Sequence, residues 1–309
     1  MKVALAQISP VFLDRSKTVD KVLSWMDKAR DADLIVFGEA LVPGYPFWVE
    51  RTDGARFASS AQEVWHAAYQ REAVQIERGD LDGICAASAA LNLAVYVGVI
   101  ERPSDRGGHS LYASLVFIDK GRVKSVHRKL MPTYEERLVW SVGDGHGLVT
   151  HELAGFTMGG LNCWENWMPL ARSALYAQGE NLHIAVWPGS QKNTCDVTRF
   201  IARESRSYVV SVSGLMRPQD WQQAHQPKGS NLTAESIWAN GGSCVANPDG
   251  TWLQEPIIDK ETVSVVELDL DQVRRARHNF DPSGHYSRPD VTQLTVNRER
   301  QSVLVFGDE

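Results

Sequence analysis

The 309-residue chain is 43% hydrophobic, enough for a large core, and its 32 Lys and Arg against 38 Asp and Glu leave a net charge of −6. No basic run or stripe breaks that acidic balance, which argues against a nucleic-acid surface. Four cysteines (Cys85, Cys163, Cys195 and Cys244) stand far apart without CxxC or Cys/His ligand spacing, so neither a structural zinc site nor a disulfide framework is expected.

Residues 1–7 are too short an apolar run for a signal peptide, and no run along the chain reaches the length of a membrane span. A soluble, cytoplasmic protein with no membrane partner is therefore expected. Residues 3–8 read as a strand. Ser16 reads as the cap of a helix whose apolar face is Val19, Val22, Leu23 and Met26, and residues 34–37 read as a buried strand. Strand, helix, strand at this spacing predicts a layered α/β architecture. Glu39 follows that apolar strand directly. It is either a loop acid capping the next segment or a general base at the carboxyl edge of the sheet, where open α/β sheets place their sites. Burial there raises a carboxyl toward the range of a proton shuttle.

Residues 60–78 and 79–92 read as two helices, and 93–100 as a buried strand. Residues 110–118 and 122–126 read as a hairpin about Asp119-Lys120-Gly121. The second hairpin strand runs into Lys129. A lysine is ordinarily solvated, but one at a strand end before a proline-broken loop can neutralise a developing anion. Residues 148–158 read as two short strands around Ala154-Gly155, and 168–178 as a helix with Pro169 in its first turn and Gly179 as its stop. Cys163 thus falls at a strand-to-helix corner. Gly159 and Gly160 are read as letting the backbone turn, and the helix dipole as favouring a thiolate. The bland alternative is a small buried hydrophobe.

Farther on, strands are expected over 182–187, 208–213 and 262–268, a helix over 195–207, and a hairpin of 242–246 with 251–253. Residues 270–278 read as a basic helix with Arg274, Arg275 and Arg277 on a solvated face. Residues 280–309 carry little signal before a strand-like stretch at 302–306, and read as a tail that docks on its own domain or on a partner subunit.

Glu39, Lys129 and Cys163, each at the end of a strand, together resemble the nitrilase superfamily of carbon-nitrogen hydrolases, which uses a Glu-Lys-Cys triad. Residues 37–46 are similar to its glutamate signature. Residues 128–133 with Glu136 and Arg137 are similar to its lysine segment, and 159–172 to its cysteine signature. Cys163-Trp164-Glu165 and the late stretch 281–291 resemble the true nitrilase branch. Ser141-Val142-Gly143-Asp144-Gly145 departs from that branch, where many members read Gly-Glu-Gly-Asp-Gly.

The resemblance implies a four-layer α-β-β-α sandwich and a single carbon-nitrogen hydrolase domain over 1–280 followed by a docking segment over 281–309. It also implies a homodimer or larger homo-oligomer and no metal or organic cofactor. It implies hydrolysis of a small-molecule nitrile to acid and ammonia, with Cys163 as nucleophile, Glu39 as proton shuttle, Lys129 as anion stabiliser and Glu136 holding Lys129. Tyr45, Trp164 and Trp187 are candidates for lining the substrate pocket, with core packing as their alternative. Glu165 is read as a possible helix cap and His127 as structural. The competing readings are an aliphatic amidase or cyanide-hydrolysing enzyme of the same superfamily, and a catalytically silent oligomeric binding protein.

Overall fold

A strand alternates its side chains between two faces, so a strand buried on both sides must serve two cores. β1 (Lys2–Gln7) does so in the computed structural model, which describes residues 1–230, 232–304 and 307. Its Ala4 and Ala6 face helices, and its Val3 and Leu5 face a second sheet. β2 (Leu34–Phe37), β3 (Ala94–Glu101) and β4 (Tyr112–Asp119) repeat the pattern. β5 (Arg122–Arg128) and β13 (Thr262–Glu267) complete a six-stranded sheet in the order β13-β1-β2-β3-β4-β5.

The second sheet holds β6 (His151–Leu153), β7 (Phe156–Asn162), β8 (Leu182–Trp187), β9 (Tyr208–Ser213), β10 (Leu215–Met216) and β11 (Ala239–Ala246). Its order is β10-β11-β9-β8-β7-β6, with β12 (Trp252–Ile258) also on β11. The helices are α1 (Arg15–Lys28), α2 (Trp48–Arg51), α3 (Ser60–Glu72), α4 (Asp82–Leu91), α5 (Pro169–Tyr176), α6 (Gln191–Ser205), α7 (Pro218–Trp221) and α8 (Leu270–Ala276).

Four layers result. Val22, Trp25 and Met26 of α1 and Ile84 of α4 cover the first sheet. Leu115 and Phe117 of that sheet meet Met158, Ile184 and Val210 of the second. Val197 and Ile201 of α6, with Ala174 and Leu175 of α5, close the far side. This is the expected α-β-β-α sandwich. No helix among the described residues is long and apolar enough to cross a membrane.

Several local expectations are corrected. Asp14, not Ser16, caps α1 by accepting from Lys17 N at 2.9 Å. The helix expected over 60–78 stops at Glu72, because Val74 leaves it to bridge Glu101 at the end of β3. α6 starts four residues earlier than expected, at Gln191. Arg277 does not lie on a solvated face: its Nη2 donates to the carbonyls of Glu180 and Ser205 and to Ser207 Oγ. Of the strand-like stretch at 302–306, residues 302–304 form no strand, and Val305 and Phe306 lie outside the described residues.

Gly159 and Gly160 do not turn the chain. Both lie inside β7, and their missing side chains make room for neighbours. A Cβ on Gly160 would stand 2.7 Å from Leu115 Cδ2 of the first sheet, and one on Gly159 would stand 2.4 Å from Glu180 Oε1. Gly160→Val should therefore overpack the contact between sheets and destabilise the fold by about 1–3 kcal/mol. The shift in chemical-denaturation midpoint measures it, and an unchanged midpoint would show that the sheets do not meet there.

Candidate active site

The parity of the strands decides where the candidate groups converge. β1, β2 and β3 run parallel, β4 reverses and β5 reverses again, so Glu39 after β2 and Lys129 after β5 leave the same edge of the first sheet. β7, β8 and β9 are parallel in the second sheet, and Cys163 follows β7 at its carboxyl edge. The two edges are joined by backbone. Trp187 O, at the end of β8, accepts from Glu39 N and from Gly214 N, each at 3.1 Å. Gly38 leaves room for this approach, since a Cβ there would fall 2.9 Å from Gly214 N and 3.1 Å from Trp187 O, and Gly98 leaves room for Glu39 itself, whose Cα would be 2.6 Å from a Cβ there.

Lys129 is 1% exposed, yet it carries its ammonium into this junction. Its Nζ donates to Glu136 Oε2 at 2.7 Å and lies 2.9 Å from Glu39 Oε1. The contact to Glu39 is an ion pair without an aligned hydrogen bond, and neither Glu39 oxygen accepts one from the described residues. The Trp140 ring lies 5.4 Å from the ammonium and adds a cation–π contact. The Lys129 backbone is tied on both sides, donating to Ala113 O and accepting from Gly143 N, each at 2.8 Å. Thr133 starts a 3₁₀ turn (Tyr134–Leu138) with a capping box, and its N–H donates to Glu136 Oε2 at 2.6 Å.

Burial and charge set the proton affinities. Burial pushes Glu39 up to about 8, against the pull of Lys129, while the nearby Glu136 adds to the rise. Burial works against the Lys129 ammonium, but Glu39, Cys163 and Glu136 outweigh it and hold the lysine charged. Cys163, Glu39 and Glu136 bring a sulfur and two carboxylate oxygens within 4.8 Å of one another. The Lys129 ammonium sits against both carboxylates and neutralises what a bound cation otherwise would.

Cys163 adopts φ +48°, a left-handed conformation that costs a non-glycine residue about 1–3 kcal/mol. It opens a short 3₁₀ turn (Cys163–Trp167), and α5 begins only at Pro169. The dipole argument for a resting thiolate is therefore corrected. Burial pushes the thiol well above its ordinary value, Lys129 lowers it, and Glu39 and Glu136 raise it further. The backbone amide of Trp164 also lowers it. The resting sulfur is a thiol that needs a base, and Glu39 stands beside it.

Glu165 is the clamp of the elbow. It is buried, its Oε2 accepts from Asn162 N at 2.8 Å, its Oε1 accepts from Leu130 N at 2.6 Å, and His127 Nε2 lies 3.1 Å away. Burial raises its pKa, but His127 and the two backbone amides outweigh that and hold it low. Glu165 thus ties the segment after Lys129 to the segment before Cys163, and His127 supports it from β5.

Of the expected pocket residues, Tyr45 stands beside the cluster. Its Oη donates to Glu135 Oε1 at 3.0 Å, and its ring meets Trp140 edge-on at 5.5 Å. Burial and the negative groups around it, Glu136 first, raise its pKa. Trp164 is 52% exposed at the elbow. Trp187 is fully buried and donates from Nε1 to Ser211 Oγ at 3.3 Å, so its ring belongs to the core while its carbonyl joins the sheets. A cleft of about 770 Å³ is lined by Val49, Arg56, Tyr134, Leu138 and Glu135, the acceptor of Tyr45 Oη, among others. Trp140 and Thr133 were not singled out in sequence. The Thr133-x-x-Glu136 spacing is a capping-box signal that finds the second, whereas nothing local marks the first.

The carbon-nitrogen hydrolase family model matches residues 2–278. The chain belongs to that family. An aliphatic nitrilase of Sinorhizobium fredii (strain HH103) is 33% identical over 98% of this chain and 98% of its own length. An aliphatic nitrilase of Rhodococcus rhodochrous is 33% identical over 99% of this chain and 82% of its own. A bifunctional nitrilase/nitrile hydratase of Lupinus angustifolius is 32% identical over 99% and 88%. Among solved structures, the carbon-nitrogen hydrolase superfamily protein XC1258 of Xanthomonas campestris superposes with a TM-score of 0.67 at 16% identity, covering 96% of this chain and 99% of that one. That likeness carries the fold.

A buried thiol with a raised pKa has a measurable signature. Carboxamidomethylation of Cys163 by iodoacetamide should still be accelerating at about pH 9, because the thiolate fraction grows until the pKa is passed. A rate that levels off below about pH 8 would show a resting thiolate and overturn this reading of the elbow.

Proposed function

We propose that this carbon-nitrogen hydrolase converts an organic nitrile to its carboxylic acid and ammonia. The observation that supports the reading best is the buried cluster of one thiol, one ammonium and two carboxylates. It occurs in a chain about a third identical to aliphatic nitrilases along nearly its whole length.

Each residue then has a task. Glu39 takes the Cys163 proton as the sulfur attacks the nitrile carbon, and passes that proton to the nitrile nitrogen, giving a thioimidate. Lys129 and the Trp164 N–H stabilise negative charge as it develops on nitrogen and later on oxygen. A water that gives a proton to Glu39 adds to the thioimidate carbon. Glu39 returns that proton to nitrogen and then carries the new hydroxyl's proton to the same nitrogen, so that ammonia leaves as the carbonyl forms and a thioester remains. A second water, activated in the same way, releases the acid and restores the thiol. Glu136 holds Lys129 by a charge-assisted bond, and Tyr45 and Trp164 border the substrate. Trp187 acts through its carbonyl, on Glu39.

The same reading takes residues 1–280 as one catalytic domain and 281–309 as a docking segment. It is supported by Arg300 Nη1 and Gln301 N, which donate to Asp144 at 2.9 and 3.0 Å. A homodimer or larger homo-oligomer is supported by Trp164, Trp167, Leu170 and Phe200, all more than half exposed. A cytoplasmic setting is supported by four free cysteines.

Ammonia and acid release should be measured on aliphatic, aromatic and arylaceto nitriles, cyanide and the matching amides. Turnover of a nitrile, lost in Cys163→Ala and reduced about a thousandfold in Lys129→Ala, is expected. Turnover of amides alone would move the protein to the amidases, and full activity in Cys163→Ala would remove the mechanism. Light scattering should give a mass at least twice the 34.4 kDa of one chain, and a monomer would refute the assembly.

A further inference from the structure

A chain of buried polar groups that the proposed chemistry does not use runs from Cys163 to Glu180. Asn166, His183 and Glu180 are all fully buried. Asn166 Nδ2 donates to Cys163 O at 2.8 Å and, more weakly, to Leu161 O at 3.4 Å. Those two carbonyls fix the amide's orientation, since a flipped Asn166 would set its oxygen against both. Asn166 Oδ1 therefore faces His183, 2.8 Å from Nε2, and Nε2 must be the donor. The other ring nitrogen, Nδ1, lies 3.0 Å from Glu180 Oε1. Both ring nitrogens thus face side-chain oxygens. Arg172 Nη1 donates to Asn166 O at 2.6 Å and anchors the relay's backbone.

The Cys163 carbonyl is one side of the peptide that links Cys163 to Trp164, and the Trp164 N–H is the other. The unit is planar and trans, so whatever fixes the carbonyl also fixes the direction of the N–H. That N–H is among the influences that lower the Cys163 thiol. At a residue with φ +48° the peptide has a lower-strain orientation to relax into, and only an outside contact holds it.

We propose that Glu180, His183 and Asn166 are a positioning relay that locks the Trp164 N–H toward the reacting atoms. None of the three touches substrate. Glu180 orients the His183 ring, His183 orients the Asn166 amide, and Asn166 holds the peptide. The proposal rests on Cys163 as the nucleophile of the preceding section. It differs from ordinary core satisfaction in what it predicts: a donor turned away from developing charge lowers kcat and the reactivity of the thiol, whereas a packing defect lowers stability alone.

The test compares His183→Leu, which has no donor, with His183→Gln, whose side-chain amide can still donate to Asn166 Oδ1. His183→Leu should lower kcat on the best nitrile about 10- to 100-fold while KM stays within about threefold. It should also slow iodoacetamide labelling of Cys163, followed by peptide mass spectrometry at about pH 8, by about fivefold. Cys85 and Cys195, partly exposed and outside the relay, serve as internal controls. His183→Gln should recover both readouts to within about threefold of the parent. A folded His183→Leu that matches the parent in both, or a His183→Gln as impaired as His183→Leu, overturns the proposal. Should His183→Leu fail to fold, Asn166→Ala removes the donor to Cys163 O from the other side, and parental labelling there is equally fatal. If the parent turns over no nitrile, but labelling still falls in His183→Leu and returns in His183→Gln, the relay stands and the nitrile reading fails.

Discussion

A lysine ammonium held out of water between two carboxyl groups is the interaction on which the proposed chemistry depends. Lys129 Nζ stands 2.7 Å from Glu136 and 2.9 Å from Glu39, with almost no solvent access. Transferring such a charge from water is expensive, and the ammonium keeps it because Glu39, Cys163 and Glu136 surround it. The partners are unequal. Glu136 is satisfied by Lys129 and by Thr133 N, whereas Glu39 has the ion pair but no aligned hydrogen bond. Glu39, the proposed proton shuttle, is the one that burial moves up to about 8. Glu136 takes both of its bonds on Oε2.

The fold serves this cluster by bringing two sheet edges together at main-chain distance. Side-chain contacts alone hold sheets roughly 10 Å apart, and that is too far for a carboxylate on one and a thiol on the other to share a proton. At the carboxyl edges the spacing closes: Trp187 O accepts from Glu39 N and Gly214 N, and Gly98 leaves room for the Glu39 backbone. The thiol is presented on a left-handed residue clamped by Glu165 and Asn166. Strain and clamps belong together, because a φ of +48° persists only where its surroundings enforce it.

The sequence by itself determined the layered fold and singled out four candidate groups that the structure brings together. Apolar runs at 34–37 and 182–187 are too hydrophobic for one-sided strands, and they require a layer on each face. Glu39 was legible as a carboxylate directly after an apolar strand, Lys129 and Cys163 as strand-end residues in segments that resemble the family's signatures, and Glu136 because it travels with the lysine segment. Only the tertiary structure decided how they are held. Beside the local Asn162 N–H, Glu165 takes two partners from residues 35 and 38 positions away in sequence, and Asn166 meets a histidine 17 positions away. No local pattern carries such pairings. The same limit explains the thiolate expectation. From sequence, Cys163 seemed to face a helix dipole, but the 3₁₀ turn and the burial that govern its proton affinity arise from packing. Patterning reports which side chains avoid water; which of them then meet is settled by strand order and direction, through contacts that are distant along the chain.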